Sequence, residues 1–189
     1  MSDKNVLAIL GSPHPNGMTS AMLNQAIRKA KQLGYDVTKI NLYEKKLSFC
    51  TGCRACMDTH RCIQNDDIQE IVSLLHHCQI VILAAPVYWA NVPAPVKNLF
   101  DRLLGTVMEE TKQFLKPRMR GKKYMILTSC NTPVPFSWLL GQSSRAIRNM
   151  DQFFKTAGMK KIGSVVCANA KNKKTLSKHT VKKIDRRLK

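Results

Sequence analysis

Four of the seven cysteines, Cys50, Cys53, Cys56 and Cys62, fall within 13 residues in the spacing C-x2-C-x2-C-x5-C. Thiolates this closely spaced can ligate adjacent irons of one cubane cluster, with a fourth cysteine closing the cage. Structural zinc more often uses two separated cysteine pairs, and a redox-active Cys50–Cys53 disulfide would rest on C-x-x-C alone. Two other segments offer a different chemistry. Gly11 to Ser20 reads GSPHPNGMTS. Ser12, Thr19 and Ser20 bring hydroxyl donors, Gly17 lets the backbone come close, and a helix starting there would add free N–H groups and the positive end of its dipole, a combination suited to phosphate. The loop has neither the lysine of GxxxxGK[ST] nor the glycines of GxGxxG, which argues against nucleoside triphosphate hydrolysis and a dinucleotide fingerprint. Pro86 to Asn91 reads PVYWAN. Such a loop can turn backbone amides and the faces of Tyr88 and Trp89 toward a planar ring, or simply cap the core with two aromatics.

These segments need a scaffold, and the hydrophobic pattern supplies one. Asn5 to Leu10 reads as a buried strand ending at Gly11, and the apolar spacing from Ser20 to Leu33 as a helix stopped by Gly34. Tyr35 to Tyr43 is a second strand, followed by the cysteine-rich loop. Asp67 and Glu70 resemble a capping box opening a helix to about His77. Gln79 to Ala85 is the clearest strand, and Pro95 suits the first turn of the next helix. Lys123 to Ser129 is a strand, Leu139 to Ala157 a helix, Lys161 to Ala168 a fifth strand, and the last 15 residues a basic helix with Leu176, Ile184 and Leu188 on one side. Gly105 to Gly121 is the least regular stretch and reads as an insertion lying over a site. The alternation βαβαβαβαβα implies a parallel sheet with helices on both faces, and ligands in such sheets sit beyond the strands' C-terminal ends. Cys78, Cys130 and Cys167, in or beside strands, read as small buried hydrophobes.

With its loops so placed, the chain resembles the family of NADPH-dependent FMN reductases and iron–sulfur flavoproteins. Their first loop typically reads GSPR-x-x-GNT. Here it is GSPHPNGMT, with His14 for the arginine and Met18 for the asparagine, so Met18 keeps a backbone N–H but offers no side-chain amide. The family continues with a strand, P-V-Y, a short loop and a helix carrying K-x-x-x-D-R, matched here by Pro86, Val87 and Tyr88 and then Lys97, Asp101 and Arg102. Those last three also read as a helix-surface ion pair, and no chemistry is assigned to them. The resemblance covers about residues 5 to 105 and weakens beyond, although Ser129 to Thr132 (SCNT) occupies a third strand end where the family also contacts flavin.

The resemblance implies a flavodoxin-like, doubly wound five-stranded parallel α/β sheet. It implies FMN held by Ser12, Pro13, Asn16, Gly17, Met18, Thr19, Ser20, Pro86, Val87, Tyr88, Trp89, Asn91, Ser129 and Asn131, with NAD(P)H as co-substrate, a small-molecule acceptor and a homodimer. The family's iron–sulfur flavoproteins carry C-x2-C-x2-C-x4–7-C and bind a [4Fe–4S] cluster with it, which makes Cys50, Cys53, Cys56 and Cys62 the candidate ligands. A broader pattern, C-x-G-C-x-x-C…C-x-x-x-D-D, occurs in relatives not known to hold a cluster; Gly52, Asp66 and Asp67 fit it, leaving free thiols near the flavin as the other reading. The resulting expectation is an FMN-dependent NAD(P)H oxidoreductase with no side chain assigned as acid or base. The alternatives are an iron–sulfur flavoprotein electron carrier and an anion- or nucleic-acid-binding module on the same scaffold.

Composition bounds these readings. The 189 residues amount to about one domain: residues 1–170 as the flavodoxin-like unit with the cysteine-rich loop 49–63, and 171–189 as a basic helix packed on it. The formal charge of +19 attracts anions, and 11 of the 31 basic residues lie between Lys160 and Lys189 against one acid, Asp185. That tail reads as a solvated helix face, or as a surface for an acidic redox partner, the phosphates of NADPH or nucleic acid; it has no aromatics for single-strand stacking, and no nucleic-acid-binding motif occurs elsewhere. The longest apolar stretch, Ile80 to Ala90, has 11 residues, whereas a membrane span needs about 20. The N-terminus MSDKNVLAIL does not read as a signal peptide, so cytoplasm is the expected location.

Overall fold

A computed structural model describes residues 4–188. Five parallel strands form the main sheet: β1 (Asn5–Leu10), β2 (Asp36–Asn41), β3 (Ile80–Pro86), β6 (Lys123–Ser129) and β7 (Lys160–Cys167). Their spatial order is β2-β1-β3-β6-β7, the 2-1-3-4-5 order of flavodoxin-like sheets, with the switch in strand order between β1 and β3. A two-stranded antiparallel hairpin, β4 (Met108–Glu110) and β5 (Leu115–Pro117), occupies the irregular Gly105–Gly121 stretch.

The strand side chains alternate between two cores. Leu7, Ile9, Val81, Leu83, Tyr124 and Ile126 join one cluster. It is covered by α3 (Ile68–His77), α4 (Ala94–Arg102) and α7 (Gln142–Thr156). Val6, Ala8, Leu10, Ile80, Ile82, Met125 and Leu127 join the other. This second face is covered by α1 (Met18–Gln32) and α8 (Lys178–Asp185). A parallel sheet buried on both faces has to be apolar at consecutive positions, which is why QIVILAA is the most legible strand in the sequence. Ile184 and Leu188 are buried and Leu176 packs beside them, so the tail's apolar side lies on the body as its spacing predicts.

Three local expectations are corrected. The Asp67–Glu70 capping box does not form: the Asp67 carboxylate accepts the Lys46 N–H at 2.7 Å, and Asp66 instead accepts the Ile68 N–H at 3.1 Å. The helix read from Leu139 to Ala157 is broken at Gly141, whose φ of +73° separates a short α6 (Phe136–Leu139) from α7. Arg102 is not on a helix surface: Lys97 and Asp101 do pair at i,i+4, but the Arg102 side chain has no exposed area.

Candidate functional site

The loops after β1, β3 and β6 meet at the C-terminal edge of the sheet around a cavity of about 230 Å³. The first loop contributes Ser12, His14, Gly17, Met18 and Thr19, the second Pro86, Val87 and Tyr88, and the third Ser129, Cys130 and Asn131. The switch point of the strand order dictates this convergence, since chains leaving β1 and β3 there diverge to opposite faces and leave a crevice. Gly11 is demanded by the same packing, because a Cβ there would lie 2.2 Å from Val96 Cγ2 of α4. The α1 N-terminus opens into the loop with Gly17 as N-cap and no side-chain cap. Its first N–H groups are thus left for a ligand. Thr19 and Ser129 share a buried hydroxyl–hydroxyl hydrogen bond of 2.6 Å that ties two of the loops together.

Not every residue of the expected set lines this cavity. Ser20 is fully buried, with a hydroxyl that has no hydrogen-bond partner among the described residues, and neither the half-buried Pro13 nor the exposed Asn16 lines the cavity. Trp89 and Asn91 border a neighbouring depression of about 480 Å³, with Arg145, Arg148, Asn149 and Gln152 of α7 on its other side. Tyr88 and Asn91 close a two-residue turn by exchanging 2.9 Å backbone hydrogen bonds, with Trp89 and Ala90 at φ of +51° and +59°. Two non-glycine residues in the left-handed region are strained, and the turn holds the Trp89 side chain fully in solvent.

Four residues that motif reading left aside also border the cavity: His14, Cys130, Ala170 and Lys171. Lys171 arrives after β7, where the backbone N–H of Ala170 bonds to the Cys130 carbonyl at 2.9 Å. No local signal marks it, because it is brought in by the pairing of β7 with β6. Cys78, Cys130 and Cys167 are buried, as their positions predict, and burial pushes all three thiols up, Cys78 to about 11.

The cysteine-rich loop lies apart from this cavity, on a neck held by α3 and α4. Cys50 and Cys53 are exposed, while Cys56 begins the short α2 (Cys56–Thr59) and is half-buried, as is Cys62. The short α5 (Leu104–Val107) packs so closely that a Cβ on Gly105 would lie 2.0 Å from the Cys56 carbonyl oxygen. The insertion therefore adjoins the cysteine loop, and Arg54 pairs with Glu110 of β4. Hydrogen bonds to the Ala55 backbone and the Thr51 side chain lower the Cys53 thiol. Among the described residues no three Cys, His, Asp or Glu side chains stand close enough to hold a metal ion. By donor chemistry, four thiols suit an iron–sulfur cluster; by placement, they are not gathered into one cage.

The sheet order, the crevice at its switch point and the loops around it agree with the comparison against known families, in which the model of the flavodoxin-like fold matches residues 4–188. The chain belongs to the flavodoxin-like fold family. Over 98 residues, 52% of this chain and 44% of the relative, it is 41% identical to a protein of Archaeoglobus fulgidus named iron–sulfur flavoprotein. Iron-sulfur flavoprotein MJ1083 of Methanocaldococcus jannaschii is 35% identical over 97 residues, 51% of this chain and 50% of the relative. The chain thus spans about half the length of the curated relatives it matches first. Among solved structures, the NAD(P)H:quinone oxidoreductase of Methanothermobacter marburgensis superposes with a TM-score of 0.81 at 13% identity, covering 99% of this chain and 98% of the other. Likeness at that identity carries the flavodoxin-like fold and no more.

Proposed function

We propose that the chain is an FMN-dependent oxidoreductase that takes electrons from reduced nicotinamide, NADH or NADPH, and delivers them to a second, small-molecule acceptor. The observation that carries this reading is the meeting of three strand-end loops at one cavity that joins an uncapped helix N-terminus, two hydroxyls, the Lys171 side chain and the edge of Tyr88. FMN, when bound, supplies the redox chemistry. The chain's own part is to hold and orient it. The α1 N–H groups, Thr19 and Lys171 face a phosphate. In a hydroxyl pair one O–H is donated inward, so the Thr19–Ser129 pair retains one O–H for the ligand. The segment Pro86 to Tyr88 offers Tyr88 to the ring. Absence of the dinucleotide fingerprint favours FMN over FAD.

Val134, Phe136, Trp138, Leu139 and Leu140 are all more than half exposed. An exposed apolar cluster of this kind, a few residues beyond the cavity-lining Asn131 in the chain, supports a second copy of the chain as its cover, hence a homodimer. Seven unpaired cysteines suit a reducing compartment such as the cytoplasm. The 41% identical iron–sulfur flavoprotein supports a second reading, in which Cys50, Cys53, Cys56 and Cys62 take a [4Fe–4S] cluster and the chain is an electron carrier. The cluster would supply one-electron chemistry.

Anaerobic purification, an absorption spectrum and quantified flavin and iron test both readings. One FMN per chain, released noncovalently on denaturation and reducible by NADH or NADPH, is the expected outcome. A colourless protein that fails to bind added FMN overturns the first reading. About four irons per chain after anaerobic reconstitution supports the second reading, and none rejects it.

A further inference from the structure

Arg102 closes α4 with its side chain wholly buried, and every edge of the guanidinium is used. Nε donates to Cys62 Sγ at 3.1 Å. Nη1 donates to the Ser48 carbonyl and to Asp66 Oδ2, and Nη2 to Asp66 Oδ1, the two carboxylate bonds each 2.9 Å. Asp66 also accepts the Ser48 N–H at 2.9 Å. One arginine therefore joins the residue that enters the cysteine loop, the residue that leaves it and the last of its four sulfurs. Asn98, one turn earlier on α4, reinforces the entry by donating to the Leu47 and Ser48 carbonyls at 3.2 Å, and Gln69 of α3 reinforces the exit by donating to the Cys62 carbonyl at 2.6 Å. Past this neck Cys50 and Cys53 are exposed and Arg54 and His60 have left-handed φ of +61° and +62°, while the Arg54–Glu110 pair and the packing of Cys56 on Gly105 hold the far side of the loop.

Asp66 takes two of the five guanidinium N–H donors and the Ser48 carbonyl a third, and the Nε–H is given to the Cys62 sulfur. We propose that Arg102 is a positioning residue for Cys62, fixing its sulfur as the stationary donor to which Cys50, Cys53 and Cys56 are brought on an iron–sulfur cluster, and holding an N–H against that sulfur in the loaded protein. The proposal rests on the cluster reading above. A hydrogen bond to a ligating sulfur spreads its negative charge and favours the reduced cluster, so the donor raises the reduction potential. Lysine does not substitute for this geometry: its ammonium is a point charge, whereas the planar fork reaches carboxylate and sulfur together.

The test compares wild type with Arg102→Lys, which keeps a charge for Asp66 and loses the fork. Bound FMN and a cooperative melt report the fold, and iron content and the cluster's midpoint potential report the role. The expected result is FMN retained, with iron either reduced at least twofold or present at a lower midpoint potential than wild type. Because a buried arginine is replaced, a second measurement needs no variant: in wild-type protein labelled with nitrogen-15 arginine, one Nε–H resonance should shift when the cluster is reduced. Wild type with iron, a lysine variant of unchanged iron content and potential, or no responsive arginine Nε–H, overturns this proposal alone. Wild type without iron after reconstitution overturns the cluster reading and this proposal with it, while the flavin spectrum stands separately.

Discussion

At the scale of single residues, the phosphate loop shows why two adjacent hydroxyls of the same chemistry need not do the same work. Thr19 lines the cavity and is paired with Ser129, whereas Ser20, one position on, is turned into the protein with its hydroxyl unpartnered. Helical geometry rotates successive side chains by about 100°, so neighbours in sequence face different surroundings. Thr19→Ala should therefore weaken FMN binding by about 10- to 150-fold, the equivalent of about 1.5–3 kcal/mol for a hydrogen bond to a charged group, and Ser20→Ala should change the Kd by no more than about twofold. Isothermal titration of the two single variants checks this; equal effects would refute the assignment of the phosphate to the Thr19 side. Lys171 makes a parallel case. It is exposed and borders the cavity, so Lys171→Met should weaken FMN binding and flatten its dependence on salt, measured by titration across ionic strength.

At the scale of elements, α7 is clamped to the sheet by one carboxylate. Asp151 accepts the Tyr124 hydroxyl at 2.8 Å and pairs with Lys155 and Lys161, each at 2.7 Å, so α7, β6 and β7 share it. Burial acts to raise this carboxyl, but the hydrogen bonds from Lys155, Lys161 and Tyr124 outweigh it and hold it down at about 2. The same burial and the Asp151 charge push the Tyr124 phenol up. A carboxyl whose folded pKa lies below its unfolded value of about 3.9 stabilises the fold above that value and loses its contribution as pH falls toward 2, here about 2 kcal/mol. Denaturant melts of wild type and Asp151→Asn should differ by roughly that amount at pH 7, and the gap should shrink below about pH 4 and largely close by about pH 2. A gap that persists unchanged to pH 2 would show that the clamp is not electrostatic. The contact of α5 with the cysteine loop is the other element-level test. Gly105→Ala puts a methyl 2.0 Å from the Cys56 carbonyl oxygen. Overpacking of this kind costs about 1–3 kcal/mol, and iron uptake should fall while bound FMN is kept, because the crowded segment belongs to the loop and not to the flavin cavity.

At the scale of the whole molecule, the basic tail is both part of the core and part of the surface. Distance in sequence sets it apart from the flavin loops, but in the fold Ala170 and Lys171 return to the cavity rim, and Ile184 and Leu188 are buried against the α1 face of the sheet. Truncation after Asn172 is therefore not a clean test of its charge. It removes two buried apolar side chains worth about 1.5–3 kcal/mol each and should lower stability. Neutralising the exposed Lys174, Lys178, Lys182 and Lys183 to glutamine leaves that packing intact. Electron transfer to an acidic partner should then lose part of its salt dependence, while turnover with a small neutral acceptor stays within about twofold, because screening acts on long-range encounter and not on the cofactor. Stopped-flow rates across ionic strength decide the point.

The sequence by itself determined the layered α/β architecture, the strand pattern and the two loops that carry the family resemblance. Each of these is written locally, in a run of consecutive apolar residues for a doubly covered strand, a glycine where a helix stops and a motif within ten residues of a strand end. It could not tell Thr19 from Ser20, bring Lys171 to the cavity or show that Arg102 leaves the surface to hold Cys62 and Asp66. Those facts depend on groups brought together from 36 to 159 positions apart in the chain, as in Arg102–Asp66, Thr19–Ser129 and the Ser12–Lys171 span of the cavity. Only the tertiary structure decided them, because a buried polar group takes whatever partner the closed sheet and its helices bring within hydrogen-bonding distance, and local sequence does not encode which partner that is.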